Sequence, residues 1–243
     1  ARLHAGIELL EASLPKAVGK LDGSARGLAD SVEPELEILA PVLNNGSAFA
    51  PNMISVALWI GAVMIASLFN MRLMDDQNAN LPRLAKSLGK FSAPLLVALL
   101  QVLGMFVVVV FGLGVGVSHP GFFVVTLLTA SLVFLAMLFA MLRVFGEAGK
   151  LLAVLLLTLQ LAAGGGIMPI ELSGDFFRAV HDWLPFSWVV KAFRVSLFDA
   201  LQGDWVTPWL VAVGGGVFAF MVATFAGRWK VVSEQDYVPG IDT

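Results

Sequence analysis

Apolar residues run through this chain in long blocks, and charged positions fall in the short breaks between them. A bilayer core takes about 20 apolar residues per helix. Five blocks approach that length, at about 53–69, 93–117, 122–142, 151–169 and 209–226. The pattern changes over 170–206, where two amphipathic stretches meet at Pro185. The first sets Phe176, Phe177, Val180 and Leu184 on one side, with Asp175, Arg178 and Asp182 elsewhere. The second groups Val190, Phe193, Leu197 and Leu201 opposite Ser187, Lys191 and Arg194. Neither stretch is suited to crossing a bilayer alone. Together they predict a helical hairpin lying in or dipping into the outer interface, with Trp183, Trp188 and Trp205 at headgroup depth.

Residues 1–50 follow another rule. Leu9, Leu10, Leu14, Val18 and Leu21 recur at helical spacing, with Pro15 bending the pattern. An acidic stretch surrounds Pro34, and Asn44-Asn45-Gly46-Ser47 reads as a loop ahead of the membrane. Asn45-Gly46-Ser47 formally matches a glycosylation acceptor, but a turn is the plainer reading. The predicted organisation is therefore the end of an extracytoplasmic helical domain over 1–50, a transmembrane domain over 51–231 and a cytoplasmic tail over 232–243. The fold class is an all-α membrane protein.

Composition sharpens this picture. The 243 residues are 58% hydrophobic and 14% charged, against about 25% charged in soluble domains. A net charge of −3 with no large basic surface excludes nucleic acid as a partner. The absence of cysteine removes disulfides, thiol nucleophiles and cysteine metal sites. Lys and Arg also fix an orientation. One set of breaks holds Arg72, Arg83, Lys86 and Lys90, then Arg143 and Lys150, then Arg228 and Lys230. The opposite set holds no Lys or Arg around His119, and Arg178, Lys191 and Arg194 in the long segment. The first set is expected on the cytoplasmic side, with residues 1–50 outside. Ala1 is not a start methionine, and an odd number of spans beginning outside calls for one earlier span, six in the complete protein.

Candidate chemistry is sparse. The five blocks hold no ionisable residue well inside, which argues against a proton-driven carrier. No His-Glu-x-x-His and no catalytic constellation occurs, so neither an enzyme nor a cofactor is expected; His181-Asp182 lacks a nucleophile and reads as surface structure. Gln101 and Gln160 are the main interior polar side chains; interhelical hydrogen bonds are favoured over a substrate path. Gly112 and Gly116 are expected to share a helix face and allow close packing, within the chain or between subunits. The triple glycines at 164–166 and 214–216 are expected to unwind locally. Over 71–92, Leu81, Leu84, Leu88 and Phe91 form a stripe with Arg83, Lys86 and Lys90 off it. This helix can rest on the anionic inner leaflet or dock a soluble partner.

Several stretches in order resemble the YhgE/Pip family, whose C-terminal part is related to type-2 ABC-exporter permeases. They are Pro41 to Pro51 leading into Ser55 to Gly61, Phe145-Gly-Glu-Ala-Gly-Lys150, Leu159-Gln160, Gly165-Gly166, Pro169-Ile-Glu-Leu172, Leu184 to Trp188 and Lys191 to Arg194. The resemblance covers about residues 30–232. It implies six spans with a large ectodomain between the first two, and leads to the expectation of a homodimeric exporter permease in a bacterial cytoplasmic membrane; the apolar walls and lack of buried charge make an amphiphile or cell-envelope component the expected cargo. A separate ATP-binding subunit would dock on Leu81, Arg83, Leu84, Lys86 and Leu88, and on Arg143, Glu147 and Lys150. It also implies an outer hairpin, here carrying Phe176, Phe177, His181, Trp183, Pro185, Trp188 and Arg194; Gln101, Gly112, Gly116, Gln160 and Gly165 are read from the residues themselves as helix packing or a substrate path. The chain has no phosphate-binding Gly-x-x-x-x-Gly-Lys loop, so ATP hydrolysis would belong to another chain. The alternative is a receptor or secretion scaffold that does not transport, with a phage or secretion partner on the ectodomain.

Overall fold

A computed structural model describes residues 45–165 and 170–233. The expected helical segment up to residue 44, the end of the fourth block at 166–169 and the tail from 234 lie outside the described residues. Helix α1 spans Asn45–Leu68, α2 Arg83–Val107, α3 Pro120–Phe145 and α4 Ala148–Ala163. Then come α5 Asp175–His181, α6 Pro185–Phe198 and α7 Val206–Phe225. Among the described residues, four helices are long and apolar enough to cross a membrane: Gly46–Leu68, Arg83–Gly112, Pro120–Phe145 and Val206–Phe225. The fourth expected span is a shorter apolar helix of 16 residues. It stops at Ala163 because Gly164 and Gly165 follow, with Gly165 left-handed at φ 62°.

α3 is the hub, meeting α1, α2, α4, α6 and α7 along its length. Its 26 residues are almost uniformly apolar, which suits a helix surrounded by others. α2 is the opposite case, with most of its apolar surface turned outward, where lipid or another chain would meet it.

Three expectations about local structure change. The supposed loop at 44–47 is already the first turn of α1 from Asn45, and Pro51 lies one to two turns further along the helix. The segment 71–92 is not a separate surface helix, because residues 83–107 form one unbroken α-helix continued by a π-helical turn at Val108–Gly112. No breaker intervenes apart from Pro94, which is buried inside the helix. Gly112 and Gly116 do not share a helix face. The chain leaves the helix between them, with Gly114 left-handed at φ 60°, and no described neighbour presses on either.

The breaks assigned to one side by their basic residues converge. Strand β1, Leu73–Asp75, pairs in parallel with β2, Lys230–Val232, and Leu73 stands opposite Lys230. The Lys230 N–H donates to the Arg72 carbonyl at 3.0 Å, and the Arg228 N–H to the Arg143 carbonyl at 2.9 Å. At the other end, the Ser118 and His119 N–H groups donate to the carbonyls of Leu197 and Ser196. These contacts define a basic end and a His119 end.

Candidate functional site

Two regions carry the residues singled out by the sequence. At the basic end, Leu81, just ahead of α2, and Leu84 and Leu88 on its first turns are all about half exposed. Arg83 Nη1 donates to the Phe225 carbonyl at 3.4 Å, and Lys86 Nζ to the Ala79 carbonyl at 3.0 Å. Those two cations therefore help hold the start of α2 in place. Glu147 is exposed and Lys150 half-buried, and the two pair at 3.0 Å.

Arg143 departs from the surface role expected of it. It is fully buried, with its guanidinium 3.3 Å from the centre of the Trp229 ring and Nη2 donating to the Gly227 carbonyl at 3.3 Å. A cation held on an indole face is stabilised by about 2 kcal/mol when desolvated. Arg143 thus pins the chain that leaves α7, and no docking partner can reach it. Arg143→Ala should lower the melting temperature of the purified protein and speed proteolysis within 227–233. Wild-type cleavage rates there would contradict this anchoring role.

The second region is the hairpin. Of the two forms expected, lying on the surface or dipping inward, α6 takes the second: Phe186, Val190, Phe193 and Leu197 are buried, and so is Ser187. It runs inward from the His119 end, about 20 Å at 1.5 Å per residue. Its N-terminus reaches the middle of the bundle. There Phe186 lies 6.1 Å from Phe134, which in turn sits 5.2 Å from Trp59. Pro185 rests on Gly215, where a Cβ would come within 3.1 Å of it. Gly214–Gly216 remain helical in α7 for the same reason: Gly215 makes room for Pro185 and Gly216 for Val133.

Trp183 and Trp188 flank this turn, and Trp183 is strongly exposed. Trp205 lies at the His119 end, stacked on Phe122 and donating to Thr126 Oγ1 at 2.8 Å. Leu201, expected beside Leu197, lies past the end of α6 and is half exposed. Phe176 is exposed on the seven-residue α5, where its ring meets Phe177 edge-on, and Asp175 pairs with Arg178.

The turn is tied down by polar groups. His181 Nδ1 donates to the Ala163 carbonyl at 2.5 Å, closing the end of α4. Arg194 Nη2 donates to the Gly165 carbonyl at 2.6 Å. Lys191 Nζ lies 3.3 Å from Asp182 and 4.1 Å from the centre of the Trp188 ring. Gln101 Nε2 reaches the Ala57 and Leu58 carbonyls on α1 at 3.3 Å each. Gln160 is fully buried and bonds no described residue, unlike the interhelical bond expected of it. Sequence reasoning missed the His119–Asp199 pair at 3.0 Å, 80 residues apart.

Residues 40–198 match the family model described as ABC-2 type transporter. The chain belongs to the ABC-2 type transporter family. In that family the membrane domain works with ATP-binding subunits and is not itself catalytic. The chain is also 28% identical over 209 residues to the uncharacterized protein YhgE of Bacillus subtilis (strain 168). That alignment covers 86% of this chain and 26% of the relative, so the chain spans about a quarter of that relative's length. The YhgE/Pip resemblance thus holds, and this ABC-2 domain is a multi-pass all-α membrane protein. No solved structure matches it.

Proposed function

We propose that this chain is the membrane half of an ABC-type exporter in a bacterial cytoplasmic membrane, with the basic end facing the cytoplasm and a second copy completing the permease. One observation carries this reading. The helix Arg83–Gly112 has 30 residues, about 45 Å at 1.5 Å per residue, whereas the hydrocarbon core is about 30 Å thick. Some ten residues therefore extend beyond lipid, and Arg83, Lys86 and Lys90 mark the N-terminal end as the one that protrudes. On that protruding end Leu81, Leu84 and Leu88 stand exposed. Apolar side chains projecting past the bilayer suit a protein partner, and an ATP-binding subunit is the partner the family provides. Glu147 and Lys150 supply a neighbouring polar contact.

The cargo class follows from the interior. The long spans offer apolar walls, so an amphiphilic or envelope component suits them better than a small ion. The test is Leu84→Asp in the full-length protein purified with its ATP-binding subunit. Stimulation of ATPase activity should fall about tenfold or more, the scale of one lost contact at the heart of an interface. The melting temperature should stay unchanged, because Leu84 is exposed. Full stimulation by the variant would remove 81–88 as the docking surface.

A further inference from the structure

Where α3 and α7 lie side by side, their outer surface is not flat. A groove of about 310 Å³ runs between them, lined by Val133 and Ala136 of α3, Val213, Gly216 and Val217 of α7, and Phe91 of α2. Its walls are buried at Val133 and Ala136, while Val217 and Met221 stand exposed on its rim. α7 has 20 residues, about 30 Å at 1.5 Å per residue, which matches the hydrocarbon thickness of about 30 Å. Val213 and Met221 are seven and four residues in from its two ends. The groove therefore lies within the hydrocarbon layer whichever end faces the cytoplasm. We infer that it holds one acyl chain of a bilayer phospholipid.

Chemistry and size both select hydrocarbon. Thr129 is the one polar side chain of the lining, and its hydroxyl already donates to the Val125 and Thr126 carbonyls at 2.8 and 3.2 Å. Among the described residues, the lining therefore offers nothing to a headgroup. From Val213 to Met221 the groove is about 12 Å long at 1.5 Å per residue. Its volume then gives a width of about 5 Å, half the roughly 10 Å that a helix with its side chains occupies. A second protein chain would have to cover about 800 Å² of flanking surface as well, and a helix laid there would bridge the slot without filling it. One hydrocarbon chain fits it lengthwise. In lipid, association is driven by packing, and an empty slot would forfeit dispersion contacts along three helices at once. Phe91 and Phe220 meet at 5.4 Å, with buried Phe139 at 5.6 and 6.0 Å from them. An occupant of the groove thus also touches the ring that ties α2 to α3 and α7.

Such a site stands whether or not the chain transports, and lipid photolabelling tests it. The full-length protein is reconstituted in dioleoyl-phosphatidylcholine with a trace of phosphatidylcholine carrying a diazirine midway along one acyl chain, then irradiated. Adducts are mapped by peptide mass spectrometry. Residues 213–221 should label about tenfold more than 96–103, where Leu96, Leu100 and Leu103 form an exposed face of α2; that ratio corresponds to a preference of about 1.4 kcal/mol over bulk lipid. Ala136→Leu narrows the groove from its wall, and Val217→Phe covers it from its rim. Each should bring the labelling of 213–221 down to the α2 level and leave 96–103 unchanged. Val217 is exposed, so its variant folds even where Ala136→Leu disturbs packing. An excess that survives both substitutions would overturn the site. So would wild-type labelling of 213–221 equal to or weaker than that of 96–103. If Val217→Cys, in a background without other cysteines, then also crosslinks chain to chain, a second copy fills the groove instead.

Discussion

Gly149→Val is expected to yield almost no monodisperse protein. A Cβ at Gly149 would stand 2.5 Å from the Met141 carbonyl oxygen and 2.9 Å from the Leu142 nitrogen, both backbone atoms. A clash with the far end of a side chain can be relieved by a rotamer change; this one would have to separate α3 from α4 at their junction. The neighbouring Gly146 already holds φ 69° and donates its N–H to the Leu142 carbonyl at 2.8 Å, so the turn has no slack. Overpacking of a core costs about 1–3 kcal/mol, and more where backbone must move. Gly104→Ala is the matched control. It lies within α2 with nothing within 4 Å of its Cβ position, and removing a helical glycine gains about 0.5–1 kcal/mol. Fluorescence size-exclusion profiles and melting temperatures should separate the two variants cleanly. Wild-type behaviour of Gly149→Val would mean that the 146–149 turn is built differently.

The second large effect is expected at Phe134. Its ring is fully buried between Trp59 and Phe186, and it supports the inner tip of the hairpin. Phe134→Ala should cost about 3 kcal/mol, the lower end for a phenylalanine truncation, because packing rather than water exclusion drives helix association in lipid. The hairpin should loosen while the four long helices stay in place. Since this chain contains no cysteine, Ser187→Cys, placed at a position now buried, would report the change through maleimide labelling. The rate should rise about tenfold or more in the Phe134→Ala background, one decade for each 1.4 kcal/mol of opening. An unchanged rate would show that the tip does not rest on Phe134.

Much of the bundle was legible in the sequence because hydrophobic length is a coarse signal that bilayer thickness enforces. The helices around 122–142 and 209–226 appear within three residues of the expected bounds, and the one around 53–69 ends where expected but begins seven residues earlier. The hairpin was legible as two helices meeting at Pro185, but not its depth. The polar stripe of α6 suggested the outer interface, whereas its Trp188, Lys191 and Arg194 line one side of an open cavity. Amphipathicity records two environments without naming them. Arg143 was misjudged for a related reason. An arginine at the end of a span looks cytoplasmic, and nothing local announces Trp229, 86 positions along the chain, as the ring that covers it. The pairing of β1 with β2 was out of reach, since three residues on each side give no periodicity to read.

The unbroken course of α2 has a mechanical consequence. Loose joints absorb displacement, and between Arg83 and Val107 the chain has none. A shove at Leu84 must therefore arrive at Val107 as a change of tilt, much as pressing one arm of a lever swings the other. Flexure can concentrate only at Pro94, whose ring cannot donate to the Lys90 carbonyl, and the wider coil at Val108–Gly112 is where the swing would be spent.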